Sequence, residues 1–476
     1  MPRARHVVAR GVSLDEASEE AHIHLSVVAR VPGAHAGAVL AVAALDDPDP
    51  DARFPWFVST SVDGTVSTWH VEERGAGGIE LVRDASFGDD DAPWWCLAVD
   101  DEWLFAGTHG RKVKVRLAVD ADMESLPGAI ANHTGWVRAL ASVRKTPREL
   151  ERARAVRPRK ASPRKAKSQS ASAAADDATP PPTTGDAWRF SAACNVVRVW
   201  QDSFAFDEDD EDDEDDGAVA DVGSASIFTG DILCLAGVRA SFRGERFLIA
   251  GVADGTVRGW RVREAPEAPL GTDGSLGTDA PVMLPIREFA DLRGGRVAAL
   301  FPLSEAFPDD DVLSRFVVAG CRDGALGCVD AETMRVSPRI AAHVRRRSSE
   351  TETRRTTKGV ACVCAGPANT VASGGDDGIV RLWRPRVRRE REVGDEPINT
   401  FSTCVVLEPC GGDIDTVCPD ALTDDTKIET RSHGDRASPS HGTRCLCAVR
   451  DKRSGECFGA LAGDEAGGLA LYSVFV

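Results

Sequence analysis

The sequence predicts an all-β fold, a seven-bladed β-propeller that forms one domain over residues 1–476. A hairpin unit recurs seven times, and after each turn apolar and polar residues alternate with the period of two that is typical of strands. One sheet of this kind cannot bury both of its faces alone. Stacking such sheets in a ring gives every face a neighbour, which is the propeller arrangement.

Three copies of the unit are closely alike: an apolar strand, an Asp-Gly turn and a second strand that ends in Trp. Their turn and closing residues are Asp63 and Trp69, Asp254 and Trp260, and Asp377 and Trp383. Asp-Gly predicts a tight two-residue turn, because Gly accepts a positive φ. Weaker copies, which include Trp200, Asp323 and Tyr472, complete the set. The closing positions are 69, 116, 200, 260, 329, 383 and 472.

Residues 22–30 alternate well and precede the first unit. The sequence stops just after the third strand of the seventh unit, so a fourth strand has to come from elsewhere. Since an open ring would expose two sheet edges, we expect residues 22–30 to close the last blade.

Three insertions interrupt the repeats. Residues 144–186 are basic and rich in Ser, Pro and Ala, residues 207–217 contain a run of ten acids, and residues 409–442 are polar. We expect the two charged insertions to be disordered and residues 409–442 to form a loop. The chain as a whole is acidic, with 57 Lys and Arg against 75 Asp and Glu. We therefore expect contact with nucleic acid only through the basic part of the first insertion, residues 144–168.

The sequence offers no argument for catalysis. It has no phosphate-binding Gly-rich loop between a strand and a helix and no Gly-x-Ser-x-Gly elbow, so we expect no catalytic residue, cofactor or metal. The 13 cysteines are scattered in apolar runs, as is typical of reduced thiols. The pairs Cys362/Cys364 and Cys445/Cys447 are expected to pack in the core. The spacings of Cys410, Cys418, His433 and His441 match no zinc pattern.

The repeated unit resembles the WD40 repeat. This resemblance implies a His before the innermost strand, an Asp in the turn and a Trp at the end of the unit, joined by buried hydrogen bonds. In the first unit the set would be His35, Asp63 and Trp69, with Ser59 or Ser61. In the third unit, His133 precedes Gly135-Trp136-Val137. Units two, five and seven have lost the Trp, so we expect looser blades there.

The resemblance also implies that partners bind the narrow face, around the central channel. The residue just before each innermost strand would project there. The candidate partner-binding residues chosen on this basis are Trp94, Trp136, Asp231, Arg296 and Arg444. Trp and Arg are enriched where binding energy concentrates in interfaces.

We therefore expect a non-catalytic scaffold that binds proteins or peptides, a monomer within a larger complex in the cytoplasm or nucleus. No apolar run approaches the roughly 18 residues of a membrane helix, and no small-molecule substrate is expected. One alternative is a substrate receptor of a cullin-type ubiquitin ligase, since Trp260-Arg261-Val262-Arg263 and Trp383-Arg384-Pro385-Arg386 partly match the family's Trp-Asp-x-Arg box. The other is a nuclear chromatin or RNA-processing module.

Overall fold

The computed structural model describes fifteen segments of the chain, called below the described residues. They are 24–45, 52–74, 78–89, 91–100, 103–117, 124–125, 133–144, 187–201, 220–226, 230–240, 244–263, 281–343, 359–391, 401–410 and 442–475. Within them, 29 strands form seven antiparallel sheets. Two 3₁₀ turns, Leu303–Glu305 and Leu313–Arg315, are described in full, and Gly244 is the other helical residue of these segments. No helix in these segments is long and apolar enough to cross a membrane.

The strands follow one another blade by blade. The first strand described is β1 (His24–Val31). Blade one contains β2 (Val39–Leu45), β3 (Trp56–Ser61), β4 (Thr65–Arg74) and β5 (Gly78–Gly88), and blade two contains β6 (Trp94–Asp100), β7 (Trp103–Thr108), β8 (Val113–Leu117) and β9 (Glu124–Ser125). Blade three contains β10 (Val137–Arg144), β11 (Ala187–Ala193), β12 (Val196–Gln201) and β13 (Ala220–Ser226).

Blades four to seven continue the pattern. Blade four contains β14 (Ile232–Arg239), β15 (Arg246–Val252), β16 (Thr256–Arg263), β17 (Val282–Pro285) and β18 (Ala290–Asp291), and blade five contains β19 (Val297–Pro302), β20 (Phe316–Cys321), β21 (Ala325–Asp330) and β22 (Ile340–Ala341). Blade six contains β23 (Val360–Gly366), β24 (Thr370–Gly375), β25 (Val380–Arg391) and β26 (Phe401–Pro409). Blade seven contains β27 (Thr443–Arg450), β28 (Cys457–Asp464) and β29 (Leu469–Phe475), together with β1.

The ring is closed by the first of the described strands. β1 pairs antiparallel with β29, from His24 opposite Phe475 to Val31 opposite Leu469, and is the outer strand of blade seven. The seven-bladed propeller and its closing strand are therefore confirmed. The described strand ends one residue later than the expected 22–30.

The Asp-Gly turns differ from expectation by one residue. Gly64 has φ +85° and donates its amide to Ser61 O at 3.1 Å, so Val62, Asp63 and Gly64 form a three-residue loop. A type I turn followed by Gly in the left-handed region is the usual form of such a loop. Asp63 Oδ1 accepts the Thr65 amide at 2.8 Å, which fixes the start of β4.

Blades two and five have the weakest outer strands. β9 and β22 each contain two residues. In blade seven, by contrast, every strand has seven or eight residues, because β1 supplies the outer strand. The strand lengths of blade seven therefore give no sign of the looser packing that the sequence predicts there.

The core lies between neighbouring blades. Several tryptophans fill these gaps, for example Trp94 of blade two, which is 1% exposed and packs against Leu45 and Val58 of blade one. The insertions 144–186, 207–217 and 409–442 lie outside the described residues except where strands adjoin them. The first joins β10 to β11, the second β12 to β13, and the third β26 to β27.

Candidate partner-binding site

The expected hydrogen-bond network is present in blade one. His35 contacts Ser59 Oγ through Nε2 and Thr65 Oγ1 through Nδ1, both at 2.7 Å. Trp69 Nε1 donates to Ser59 Oγ at 2.8 Å. Ser59 rather than Ser61 therefore joins the ring of His35 to that of Trp69. Asp63 accepts from the Ala36 amide at 2.7 Å, so the loop that leads into the blade is tied to the turn.

Blade six carries a second such network, built on a His that the sequence reading missed. His343 lies 2.8 Å from Asp377 Oδ1 and 2.9 Å from Ser373 Oγ, and Trp383 Nε1 donates to the same Oγ at 2.8 Å. Asp377 also receives Arg381 Nη1 at 2.7 Å. Burial disfavours the charge of Asp377, but the hydrogen bond from His343 and the charge of Arg381 outweigh it and lower the pKa to about 2.

The spacing explains why His343 was missed. His35 and His133 each lie four residues before the first residue of their innermost strand, Val39 and Val137. His343 lies 17 residues before Val360, so an insertion separates it from its strand (360 − 343 = 17). The ten-residue interval from Ser373 to Trp383, equal to that from Ser59 to Trp69, is the signal that could have located it.

The other repeat residues lie in the core or in the turns of their blades. His133 contacts Ser191 Oγ at 2.7 Å, whereas the buried indole N–H of Trp200 has no hydrogen-bond partner among the described residues. Asp254 and Asp323 accept the amides of Thr256 and Ala325 at 2.8 and 3.0 Å, in the turns. Trp260 and Tyr472 are each 5% exposed, in the core.

The innermost strands begin at the face that also carries these turns, called below the narrow face. In six blades a turn amide donates to the carbonyl of the residue before the innermost strand. The acceptors are Ala38, Pro93, Asp231, Arg296, Gly359 and Gly442. Asp231 and Arg296 hold the expected position and are exposed, as is Trp136, directly before β10.

Two of the five candidate residues were assigned one or two positions too far along the chain. Trp94 is the first residue of β6 and is buried, so it is wrong as a surface contact; Pro93 holds its place before the strand. Arg444 is the second residue of β27, where Gly442 was the equivalent position. Arg444 is nevertheless exposed and forms an ion pair with Glu465 of the neighbouring turn.

A cluster of rings lies at the narrow face between blades two and three. We call Trp95, His109, Trp136 and Arg138 the aromatic cluster. The rings of Trp95 and Trp136 are stacked, with centroids 5.5 Å apart and planes at 10°. The His109 ring lies 4.5 Å from that of Trp136. The Arg138 guanidinium lies 5.6 Å from the centroid of Trp95 and 5.4 Å from that of Trp136.

The strand geometry positions these side chains. Each innermost strand has a register shift after its first residue, in β6 between Trp94 and Cys96 and in β10 between Val137 and Ala139. Trp95 and Arg138 occupy this irregular position, where a bulge redirects a side chain. The same position holds Leu40, Leu233, Ala298, Ala361 and Arg444 in the other blades. Blade two alone has an aromatic residue there among the seven.

Comparisons with known proteins agree with this geometry. Residues 349–384, which include the turn and the Trp of blade six, match the family model described as WD domain, G-beta repeat. The chain is a seven-bladed β-propeller with a WD40 repeat in blade six. A crystal structure of RRP9 WD40 repeats is similar over 96% of this chain and 98% of that chain, with 13% identity and a TM-score of 0.50.

A structure of U3-55K is similar over 76% of this chain and 80% of that chain, with 14% identity and a TM-score of 0.44. No curated protein matches the chain. The matched repeat begins after His343, in keeping with the separation of that residue from its strand.

The cysteine pairs of the propeller lie on two adjacent innermost strands, β23 and β27, and are buried. Burial raises the pKa of all four thiols, that of Cys445 to about 12, so they stay protonated at neutral pH and pack as small apolar groups. No group of three or more His, Cys, Asp or Glu is placed to hold a metal ion in the segments described. Cys418, His433 and His441 lie outside them.

Proposed function

We propose that this WD40 propeller is a non-catalytic scaffold that binds a protein partner on its narrow face through the aromatic cluster. The observation that carries the proposal is Trp136, which is 39% exposed although it is one of the largest apolar side chains of the protein. An exposed Trp on a rigid frame is a typical anchor of a protein interface.

The cluster is ordered before a partner arrives. Trp136 contacts the rings of Trp95 and His109, so its side chain has already lost much of its conformational freedom. Binding then costs less entropy than it would for a freely rotating side chain. Arg138 places a positive charge beside the two indoles. A partner segment with an apolar or aromatic side chain next to a carboxylate fits this combination.

The remaining candidate residues support the rim of such an interface. Asp231, Arg296 and Arg444 are exposed on the same face in blades four, five and seven. Charges at a rim contribute more to orientation and association rate than to affinity. We therefore assign the affinity to the aromatic cluster and the orientation to these three residues.

Affinity purification with mass spectrometry tests the proposal. Trp136→Ala is expected to lose the main partner while the melting temperature stays close to that of the wild type, because the side chain is outside the core. Phe289→Ala is the matched control, since Phe289 of blade four is 51% exposed but belongs to no cluster of rings on the narrow face. Retention of the same partners by Trp136→Ala would refute the proposal, as would equal loss in the control.

A further inference from the structure

The hairpin of β25 and β26 extends blade six beyond the four-stranded region. β25 pairs with β24 only as far as Val371 opposite Trp383, but with β26 as far as Arg391 opposite Phe401. From Arg384 to Arg391 the two strands form a two-stranded segment, called below the ribbon. At about 3.3 Å per residue, these eight residues span roughly 26 Å.

The ribbon is anchored at one strand and exposed at the other. Val405 of β26 is fully buried. Its amide donates a hydrogen bond to Ser337 Oγ of blade five at 3.0 Å, which ties β26 to the neighbouring blade. On β25, the four consecutive residues 386–389 are all exposed. The inward and outward alternation of the blade therefore ends here, and both faces of β25 meet solvent.

The exposed strand is strongly basic. Arg384, Arg386 and Arg388 follow one another at every second residue and so lie on one face, while Arg389 lies on the other. The opposite strand contributes a single acid, Glu408, whose carboxylate lies 3.7 Å from Arg386 and 2.9 Å from Arg388. Over residues 384–389 and 403–408 there are thus four cations and one anion in a protein whose net charge is −18.

Nucleic-acid phosphates fit this arrangement better than an acidic peptide does. Arginine presents a planar fork that binds phosphate oxygens in pairs and stays charged at every physiological pH. Because the cations lie on both faces of a narrow ribbon, the ligand should present negative charge on both sides. Because β26 is buried against blade five, only β25 is open to the ligand, and a sugar-phosphate backbone that follows the free edge of β25 can reach the arginines on both of its faces. An extended peptide covers one face or one edge.

We propose that the ribbon binds the phosphate backbone of a nucleic acid. The site is separate from the narrow face, because β25 starts at the turn on that face and runs away from it. The strands on either side of the basic insertion, β10 and β11, belong to blade three rather than to blade six. A protein partner on the aromatic cluster and a nucleic acid on the ribbon would therefore bind at the same time.

Fluorescence anisotropy on the full chain tests this site, with a short single-stranded RNA, a DNA duplex and a polyglutamate peptide as probes. The triple variant Arg386→Gln, Arg388→Gln, Arg389→Gln is expected to bind at least one nucleic acid about tenfold more weakly. The slope of log affinity against log salt should flatten by about two, since each lost phosphate contact contributes about 0.7 to 0.9. The RNA and duplex arms show which form binds.

Two further variants separate the ribbon from general charge. Arg239→Gln, Arg263→Gln, Arg293→Gln removes the same charge from exposed positions of blade four and should leave affinity within about twofold of wild type. Glu408→Gln should tighten binding by about two- to fivefold, because it removes the carboxylate that competes for Arg386 and Arg388. Equal weakening by both triple variants, unchanged binding in the first, or tighter binding of polyglutamate than of either nucleic acid would overturn the proposal.

Discussion

A single serine oxygen holds together each complete hydrogen-bond network. Ser373 Oγ is fully buried, accepts the Trp383 indole N–H and contacts His343. Ser191 occupies the same place in blade three, where it contacts His133 while the indole of Trp200 has no hydrogen-bond partner within the described chain. The two serines thus differ in how many buried groups depend on them.

Ser373→Ala is expected to lower the free energy of unfolding by about 2–4 kcal/mol, because it leaves two buried polar groups unsatisfied. Ser191→Ala should cost about 1 kcal/mol, since one group loses its partner. Urea unfolding of both variants measures the difference. Equal costs would show that the indole hydrogen bond in blade six contributes nothing.

The two network histidines make stability depend on pH. Burial lowers the pKa of His35 and of His343 from the ordinary value of 6.5, despite the opposing charges of Asp63 and Asp377. The unfolded chain therefore takes up protons on these residues at a higher pH than the folded protein does. The free energy of unfolding is then highest above 6.5 and falls as the pH drops below that value.

A double variant, His35→Gln, His343→Gln, should flatten this dependence in urea unfolding measured between about pH 7 and pH 5. The double variant will be less stable than wild type at neutral pH, and the comparison is of slopes. A slope as steep as that of the wild type would mean that other groups carry the acid sensitivity.

At the scale of the element, β1 is the strand on which ring closure depends. Leu25 of β1 is 7% exposed and packs in a cluster with Tyr472 of its own blade and Leu382 of blade six. Its neighbour Ser26 points to the other face of the strand. The two adjacent residues therefore form a matched pair for testing the closure.

Leu25→Asp is expected to destabilise the protein by several kcal/mol, because it buries an unpaired charge. Ser26→Asp should have a small effect. Melting temperature and limited proteolysis measure both. If Leu25→Asp behaved like Ser26→Asp, β1 would not be closing the ring in solution.

At the scale of the molecule, the sequence predicts the architecture well because its signal is repeated. The turns with Asp63, Asp254 and Asp377 and the Trp that follows each of them mark the middle of a blade, so even eroded units can be placed by spacing. The narrow-face residues were harder to predict, since one position of error moves a side chain from surface to core. Trp94 and Trp95 show this. Periodicity indicates that one of the two is buried, but only the hydrogen bond to the Pro93 carbonyl shows that β6 begins at Trp94, which makes Trp94 the buried one.

The aromatic cluster could not be predicted as a set. Its members come from two innermost strands, from the residue directly before one of them and from one turn, and they meet only because adjacent blades pack together. The ribbon could not be predicted either. In the sequence, Arg384 and Arg386 belong to a possible ligase box, and only the pairing with β26 shows that β25 continues past them. Local chemistry can thus be read from the chain, whereas contacts between blades depend on the assembled ring.

The pairing of β1 with β29 has a consequence for how the protein is made. Val31 and Leu469 are partners although 438 residues separate them (469 − 31 = 438). During translation, β1 leaves the ribosome before β29 and cannot pair with it until the residues between the two strands have been synthesised. Contacts so distant along the chain form slowly, and a waiting strand edge is open to other chains. The nascent protein therefore needs chaperones most at β1, until β29 has been synthesised.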